Sequence, residues 1–238
     1  MSKKPDIAFF GDFTAFTAGH LSACLNAGHR IAVFVRTRKL RESNRRMDRI
    51  LKVVAPRWSV AAILQRNRIP QVEVDLPVDG AECMERLAPF SGQVLVSVGF
   101  PGRIPAAVRS HFPAGAINVH PAMLPLYRGP HPGYAMVLDG KLEEGAGITI
   151  HALTDEFDEG PVFAQEHLQI ARPVDLQLLE VGLTHLGASV LCRVLGDLPA
   201  YAQAAKEQPK GQFPRGSITL RDITIESGID RPAFDRIM

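Results

Sequence analysis

Short apolar runs separated by helix-like stretches dominate the first half of the chain. Five runs predict strands: residues 7–11, 30–35, 71–75, 93–98 and 115–119. Residues 18–27 and 81–87 between them have the spacing of amphipathic helices. Strands that alternate with helices favour βαβ units with right-handed crossovers, so we expect an α/β fold with a doubly wound, mostly parallel sheet.

The pattern changes after residue 120. Residues 121–132 contain four prolines and few strand formers, which predicts a structured loop, and residues 131–138 follow as a short helix. Two alternating runs, 147–153 and 162–170, predict strands on either side of an acidic loop at 154–160. Residues 174–195 have the apolar spacing of a helix, and the polar stretch after it contains one strand-like run at 217–225. We therefore expect a catalytic domain over 1–205 and a small C-terminal extension over 206–238.

Composition narrows the class of protein. The chain has 238 residues, of which 46% are hydrophobic and 22% are charged, as in ordinary globular proteins. No apolar run approaches 18 residues, so neither a transmembrane helix nor a membrane partner is expected. Three cysteines without a Cys-x-x-Cys pair disfavour a disulfide framework or a zinc site and favour a reducing cytoplasm. The histidines form no His-Glu-x-x-His motif, so no metal site is expected. The Gly-x-Gly-x-x-Gly fingerprint and the P-loop, two motifs of nucleotide binding, are also missing.

Positive charge is concentrated in residues 36–57. This segment contains nine basic and two acidic residues and has a net charge of +7, whereas the rest of the chain has a net charge of −5. Such a segment can attract phosphate or RNA. The simpler interpretation is a solvated helix, broken at Pro56, whose apolar side packs inward. The side chains expected on that inward face are Leu40, Met47, Ile50, Leu51 and Val54.

Candidate catalytic groups follow a predicted buried strand. Alternation places Asn118 and His120 on the same face of that strand, at the carboxyl end where open α/β sheets bind ligands. The next strand brings His151, and Asp158 lies in the acidic loop behind it. An amide, an imidazole and a carboxylate suit acyl transfer, since they can polarise a carbonyl group and move protons. The alternative is an Asn and a His that merely bind the backbone of the loop.

The stretch from Asn118 to Gly129, Asn-Val-His-Pro-Ala-Met-Leu-Pro-Leu-Tyr-Arg-Gly, is followed by Gly-Ile-Thr-Ile-His at 147–151 and Asp-Glu-Gly at 158–160. These motifs resemble the folate-dependent formyltransferases, whose signature is N-x-H-P-S-L-L-P-x-Y-R-G, then G-x-T-x-H, then D-x-G. The resemblance extends from about residue 7 to residue 195. Ala122 and Met123 depart from it by replacing Ser and Leu. Both departures lie in the loop and leave the three chemical groups intact.

The resemblance implies an enzyme that transfers a formyl group from 10-formyltetrahydrofolate to a primary amine without a metal. Asn118 and His120 would stabilise the oxyanion, while Asp158 would orient His120 and help to remove the proton of the amine. The residues expected at the edges of the donor pocket are Gly99, Phe100, Leu153, Thr154 and Asp155. Phe100 could equally be a core residue, and His151 is expected to have a structural role.

The resemblance leaves the amine open. Asp12 stands where glycinamide ribonucleotide transformylases bind phosphate, and the C-terminal extension is short for the RNA-binding domain of methionyl-tRNA formyltransferases. Nucleic acid is therefore disfavoured, and we expect a small-molecule amine such as a nucleotide-linked amino sugar, in a monomer or a homodimer. Siderophore amine or amino-acid formyltransferases are an equally physical option. Further alternatives are methionyl-tRNA formylation, a formyltetrahydrofolate hydrolase and a catalytically silent folate- or RNA-binding module.

Overall fold

Residues 4–170 and 176–216 are described by a computed structural model, in which seven strands form one sheet. The strands are β1 (Ile7–Gly11), β2 (Ile31–Thr37), β3 (Gln71–Val74), β4 (Val94–Val98), β5 (Ala116–His120), β6 (Gly147–Ala152) and β7 (Val162–His167). The helices are α1 (Ala15–Asn26), α2 (Glu42–Val54), α3 (Val60–Arg66), α4 (Gly80–Leu87), α5 (Ala106–Arg109), α6 (Pro132–Leu138), α7 (Leu142–Gly145), α8 (Leu176–Gly196) and α9 (Leu198–Gln203). Pro56–Trp58 forms a 3-10 turn between α2 and α3, at the predicted break.

The strand order is β3-β2-β1-β4-β5-β6-β7. Strands β1 to β5 are parallel to one another, whereas β6 is antiparallel to both of its neighbours, β5 and β7. From β1 the chain winds outward to β3 and then returns to β4 on the other side of β1. This reversal opens a crevice at the carboxyl ends of the central strands. The predicted doubly wound, mostly parallel fold is confirmed.

The sheet separates two apolar cores. One core lies under α1, α3 and α8, and the other lies under α4 and α5. By length and composition alone α8 is apolar enough to cross a membrane, which the sequence did not lead us to expect. Its Leu183, Val190 and Leu191 are buried, and the helix packs against α1 and β6, as a core helix does. Helix α1 begins three residues before the predicted start, because the Thr14 hydroxyl group accepts the N–H of Thr17.

The interpretation of the basic segment as a helix packed through its apolar side is wrong. Met47, Ile50 and Val54 of α2 are exposed, at 44%, 48% and 70% of their surface, while Leu40 and Leu51 are only partly buried. The buried residue of α2 is Asp48, whose carboxylate accepts the Ser59 hydroxyl group (3.1 Å) and the Val60 N–H (2.7 Å) at the start of α3. This polar anchor rotates the helix, so its apolar side chains are left at the surface.

Residues 206–216 lie against β7 and the loop that follows β5. Lys206 forms a β-bridge with Val162 of β7, and the N–H of Tyr127 donates to the carbonyl group of Pro214 (2.6 Å). The N–H of Gly216 donates to the carbonyl group of Arg128 (2.8 Å). The division into 1–205 and 206–238 stays a prediction, and the strand predicted at 217–225 lies outside the described residues.

Candidate active site

Strand register brings the amide and two imidazoles together. Asn118 and His120 are two positions apart near the end of β5, and β6 runs antiparallel beside it with His151 directly opposite Asn118. His120 and His151 are buried, at 4% and 1% exposure. The side chains predicted to share one face of β5 therefore do so, and β6 adds a third group to that face.

The loop after β5 orients the His120 ring. Nε2 of His120 lies 3.0 Å from the carbonyl oxygen of Tyr127, so Nε2 carries the hydrogen and donates it. The position of that carbonyl group is fixed in turn, because the Tyr127 backbone is left-handed (φ 57°) and its ring is fully buried. Nδ1 of His120 is left as the proton-accepting nitrogen, and it faces Asp158 at 3.5 Å.

Asp158 enters from the loop between β6 and β7. Its backbone is left-handed (φ 57°), which turns the carboxylate inward and is unusual for a residue other than glycine. Oδ2 accepts the N–H of Gly129 (2.9 Å), while Oδ1 lies 3.5 Å from Asn118 Nδ2 and 3.6 Å from His151 Nε2. The structure thus brings together the three residues predicted to be catalytic, although the orienting partner of His120 is the Tyr127 carbonyl group.

The charges of this cluster follow from burial and proximity. Burial alone would raise the pKa of Asp158, but the nearby imidazoles of His120 and His151 in their cationic forms, together with the N–H of Gly129, hold it well below its usual range. Burial lowers the pKa of His120, and the Asp158 carboxylate offsets this only in part. At neutral pH the site therefore presents an ionised carboxylate beside a neutral imidazole, an arrangement that can accept a proton and stabilise the resulting imidazolium.

His151 reaches the cluster, and its hydrogen bonds there hold Asn118 in place. Its Nδ1 donates to the carbonyl group of Ala152 (2.9 Å), so Nε2 is an acceptor and receives a hydrogen of Asn118 Nδ2 (3.1 Å). This bond turns the NH2 end of Asn118, and not its oxygen, toward the cluster. Alternation along the run at 147–153 places His151 on one face of its strand, and the register of β6 against β5 sets His151 opposite Asn118.

Gln208 is a site-supporting residue that the sequence analysis missed. Its Nε2 donates to the carbonyl groups of Asp158 (2.9 Å) and Gly160 (2.8 Å), and its Oε1 accepts from Arg128 (2.8 Å). Gln208 therefore holds the backbone of the acidic loop in the conformation that places the Asp158 carboxylate. No motif marks this residue, because it reaches the loop from a distant part of the chain.

The residues predicted to edge the donor pocket follow β4 and β6 in the chain. Gly99 follows β4 with a left-handed backbone (φ 65°). Phe100 and Leu153 are partly buried against the same core cluster, and the Phe100 ring meets that of Phe10 edge to face at 5.4 Å. Phe100 therefore has a core contact and is partly exposed, and its role at the donor pocket stays a prediction.

Thr154 and Asp155 follow Leu153 in the acidic loop between β6 and β7. The Thr154 hydroxyl group donates to the carbonyl group of Glu156 (3.0 Å), and Asp155 forms an ion pair with Arg109. Arg109 also donates to the carbonyl group of Leu153 (2.7 Å), so the start of the acidic loop is tied to α5. Within residues 4–170 and 176–216 no group of three or more side chains is arranged to hold a metal ion.

The doubly wound α/β sheet thus has an amide, an imidazole and a carboxylate at the carboxyl end of β5, and these are groups that acyl transfer can use. The formyl transferase family model matches residues 7–195, which is most of the chain. The chain belongs to the formyl transferase family.

Known relatives agree with this assignment. A methionyl-tRNA formyltransferase of Chloroflexus aurantiacus is 32% identical over 213 residues, which are 90% of this chain and 64% of that protein. The chain thus spans somewhat less than two thirds of the length of this relative. Among solved structures, a phosphoribosylglycinamide formyltransferase from Bacillus halodurans superposes with a TM-score of 0.65 at 18% identity, covering 83% of this chain and 96% of that one. A sugar 3N-formyl transferase solved with dTDP and 5-N-formyl-THF superposes with a TM-score of 0.62 at 17% identity, covering 92% and 73%. At these identities the superpositions establish the fold alone.

Proposed function

We propose that the protein is an N-formyltransferase that moves a formyl group from 10-formyltetrahydrofolate to a primary amine. The observation that supports this most is that Asn118 Nδ2 and His120 Nδ1 each lie 3.5 Å from the Asp158 carboxylate, at the carboxyl end of β5 in a formyl transferase fold. The formyl donor supplies an activated carbonyl group, which the amine attacks. The residues of the chain would orient the reactants, stabilise negative charge and accept a proton.

Asn118 is suited to the developing negative charge on the carbonyl oxygen. His151 fixes the amide so that its NH2 group faces the cluster, and a preorganised donor of this kind contributes about 3 kcal/mol in comparable sites. His120 is suited to accept the proton of the amine at Nδ1, because burial keeps the ring neutral. Asp158 would then stabilise the imidazolium across 3.5 Å.

The residues Gly99, Phe100, Leu153, Thr154 and Asp155 are proposed to bind the folate donor. The apolar faces of Phe100 and Leu153 suit an aromatic ring system, and backbone groups of the acidic loop suit its polar edge. The relative solved with 5-N-formyl-THF supports a folate donor for a fold of this kind. We propose a cytoplasmic enzyme, since free cysteines suit a reducing compartment.

For the acceptor we propose a small-molecule amine, with a nucleotide-linked amino sugar first. The relative solved with dTDP acts on a sugar, and its fold covers 92% of this chain. The decisive experiment incubates the purified full chain with 10-formyltetrahydrofolate and follows the release of tetrahydrofolate, alone and with nucleotide-linked amino sugars, hydroxyornithine-type amines or methionyl-tRNA. Release that requires an amine supports the proposal. Release without an amine would point to a hydrolase, and no release with any amine would point to a binding protein.

Methionyl-tRNA is the second candidate acceptor, favoured by two observations. The relative that is 32% identical over 90% of the chain is a methionyl-tRNA formyltransferase, and Arg45, Arg46 and Arg49 of α2 are exposed. If several tRNA phosphates contact this surface, acceptor affinity falls steeply with salt, by up to about 0.9 log unit per log unit of salt for each phosphate. We expect a shallow dependence that a triple Arg→Gln variant leaves unchanged. A steep dependence that the variant abolishes would place methionyl-tRNA first.

A further inference from the structure

A row of three polar side chains runs across the last three strands of the sheet. Strand register sets His120 of β5 opposite Thr149 of β6, and Thr149 opposite Gln165 of β7. Because directly opposite residues of antiparallel strands point to the same face, all three side chains lie on the face that carries the catalytic cluster. Thr149 is fully buried in the middle of this row. The sheet thus places a hydroxyl group beside the proposed proton acceptor.

The hydroxyl group of Thr149 is a hub for the loop after β5 (residues 121–131). It donates to the carbonyl group of Ala122 (2.7 Å) and accepts the N–H of Leu124 (3.1 Å). It also accepts from Gln165 Nε2 (2.9 Å), which donates in addition to the carbonyl group of Leu124 (2.6 Å). A hydroxyl group has one hydrogen and two lone pairs, so every hydrogen-bonding position of Thr149 is used and the direction of its hydrogen is fixed.

The second half of the same loop supplies two backbone groups to the catalytic cluster. The carbonyl group of Tyr127 accepts from His120 Nε2 (3.0 Å), and the N–H of Gly129 donates to Asp158 Oδ2 (2.9 Å). Only two residues separate Leu124 from Tyr127, so the position of the loop start also governs the position of the Tyr127 carbonyl group. Since such a bond is lost at about 3.6 Å, a displacement of about 0.6 Å along it would free the His120 ring.

We propose that Thr149 and Gln165 are positioning residues, which act through the loop after β5 to keep the hydrogen of His120 on Nε2. Neither residue is assigned a contact with the reactants. Without the hub, the Tyr127 carbonyl group no longer holds that hydrogen, and part of the molecules carry it on Nδ1 instead. A ring in that form cannot accept a proton at Nδ1. The inference rests on the proposed function, because it takes His120 as the proton acceptor in formyl transfer.

The test replaces Thr149 with Val, which removes the hydroxyl group and keeps the branching of the side chain. Long-range hydrogen–nitrogen NMR correlations of the histidine side chains, recorded on the isotope-labelled full chain at neutral pH, report which ring nitrogen carries the hydrogen. The His120 signals, assigned with His120→Gln, should show the Nε2–H form in the wild type and a mixture of both forms in Thr149→Val. In the amine-dependent assay kcat should fall by about ten- to a hundredfold, with the KM for the formyl donor unchanged.

Three further variants separate this role from a general effect on folding. Thr149→Ser keeps the hydroxyl group and should restore the Nε2–H form and most of kcat. Thr184→Val is the matched control, since Thr184 is buried and its hydroxyl group donates to the carbonyl group of Glu180 within α8. It should change neither readout. Gln165→Glu alters an exposed position on β7 and replaces a donor with a carboxylate, so it should shift the tautomer in the same direction even if Thr149→Val folds poorly.

Two results would overturn the proposal. One is a His120 ring that stays in the Nε2–H form in every folded variant of Thr149 and Gln165, whatever happens to kcat. The other is a tautomer shift in Thr149→Val that Thr149→Ser shows to the same extent. The NMR readout does not depend on formyl transfer. If the wild-type chain released no tetrahydrofolate with any amine, the proposed function would fail, while the tautomer would still decide whether the hub orients His120.

Discussion

Replacing Asp158 with Asn isolates the charge of the carboxylate from its shape. Asn tolerates the left-handed backbone of this position and keeps an oxygen for the Gly129 N–H. What is lost is the attraction between the carboxylate and an imidazolium at His120, 3.5 Å away. With an effective dielectric constant of about 20 this attraction is about 5 kcal/mol, or between about three and four orders of magnitude in rate.

Because the amide dipole of Asn replaces part of this attraction, we expect kcat of Asp158→Asn to fall by about two to four orders of magnitude. The assay is the amine-dependent release of tetrahydrofolate, measured from pH 5 to 9. The limb of the pH profile that reports His120 should move to lower pH in the variant, since the carboxylate raises the pKa of that ring.

Glu166→Gln is the matched control, because Glu166 is a carboxylate that forms an ion pair with Arg193, away from the cluster. It should leave both kcat and the pH profile unchanged. If Asp158→Asn retained activity within tenfold of the wild type, the role assigned to Asp158 would be refuted. An unchanged pH limb together with a large loss of kcat would show that Asp158 acts by positioning the loop and not through its charge.

Four further outcomes are expected. Asn118→Ala should lower kcat by about 10²–10³-fold, the effect of removing one oxyanion donor, with an unchanged circular dichroism spectrum as the check on folding. His151→Leu removes the acceptor that orients Asn118, so kcat should fall by about ten- to a hundredfold while the KM for the formyl donor stays unchanged. A rise in that KM as large as the fall in kcat would contradict the positioning role. Gly160→Ala should lower the free energy of unfolding by about 1–3 kcal/mol or more, as seen by urea titration, because its Cβ would collide with the carbonyl oxygen of Ala152. Burial lowers the pKa of His20 to about 4, so below pH 6.5 the unfolded chain binds a proton that the folded chain does not. Stability should thus fall by about 3 kcal/mol between pH 6.5 and 4, and His20→Gln should remove this part of the dependence.

Local patterns in the sequence determined most of the strands and helices, and they placed the candidate residues Asn118 and His120 together. Alternation placed Asn118 and His120 on one face of a strand, and the structure has them there. The order of strands and helices predicted the doubly wound sheet, and Pro56 predicted the break in the basic segment. These predictions succeed because side-chain periodicity and the fixed φ of proline act within a few residues.

Tertiary structure alone decided how distant groups meet. Helix α2 is turned by a buried Asp48 and not by its apolar residues, since an ionised carboxylate is costly to bury unless the start of α3 supplies its hydrogen bonds. Gln208 reaches the acidic loop only after the sheet has assembled. Periodicity describes a face of one element, whereas the partner of that face is selected by packing and hydrogen bonding over the whole fold. For this reason the sequence could identify the candidate catalytic residues, but only the folded chain shows that His151 contacts Asn118 and that the Tyr127 carbonyl group contacts His120.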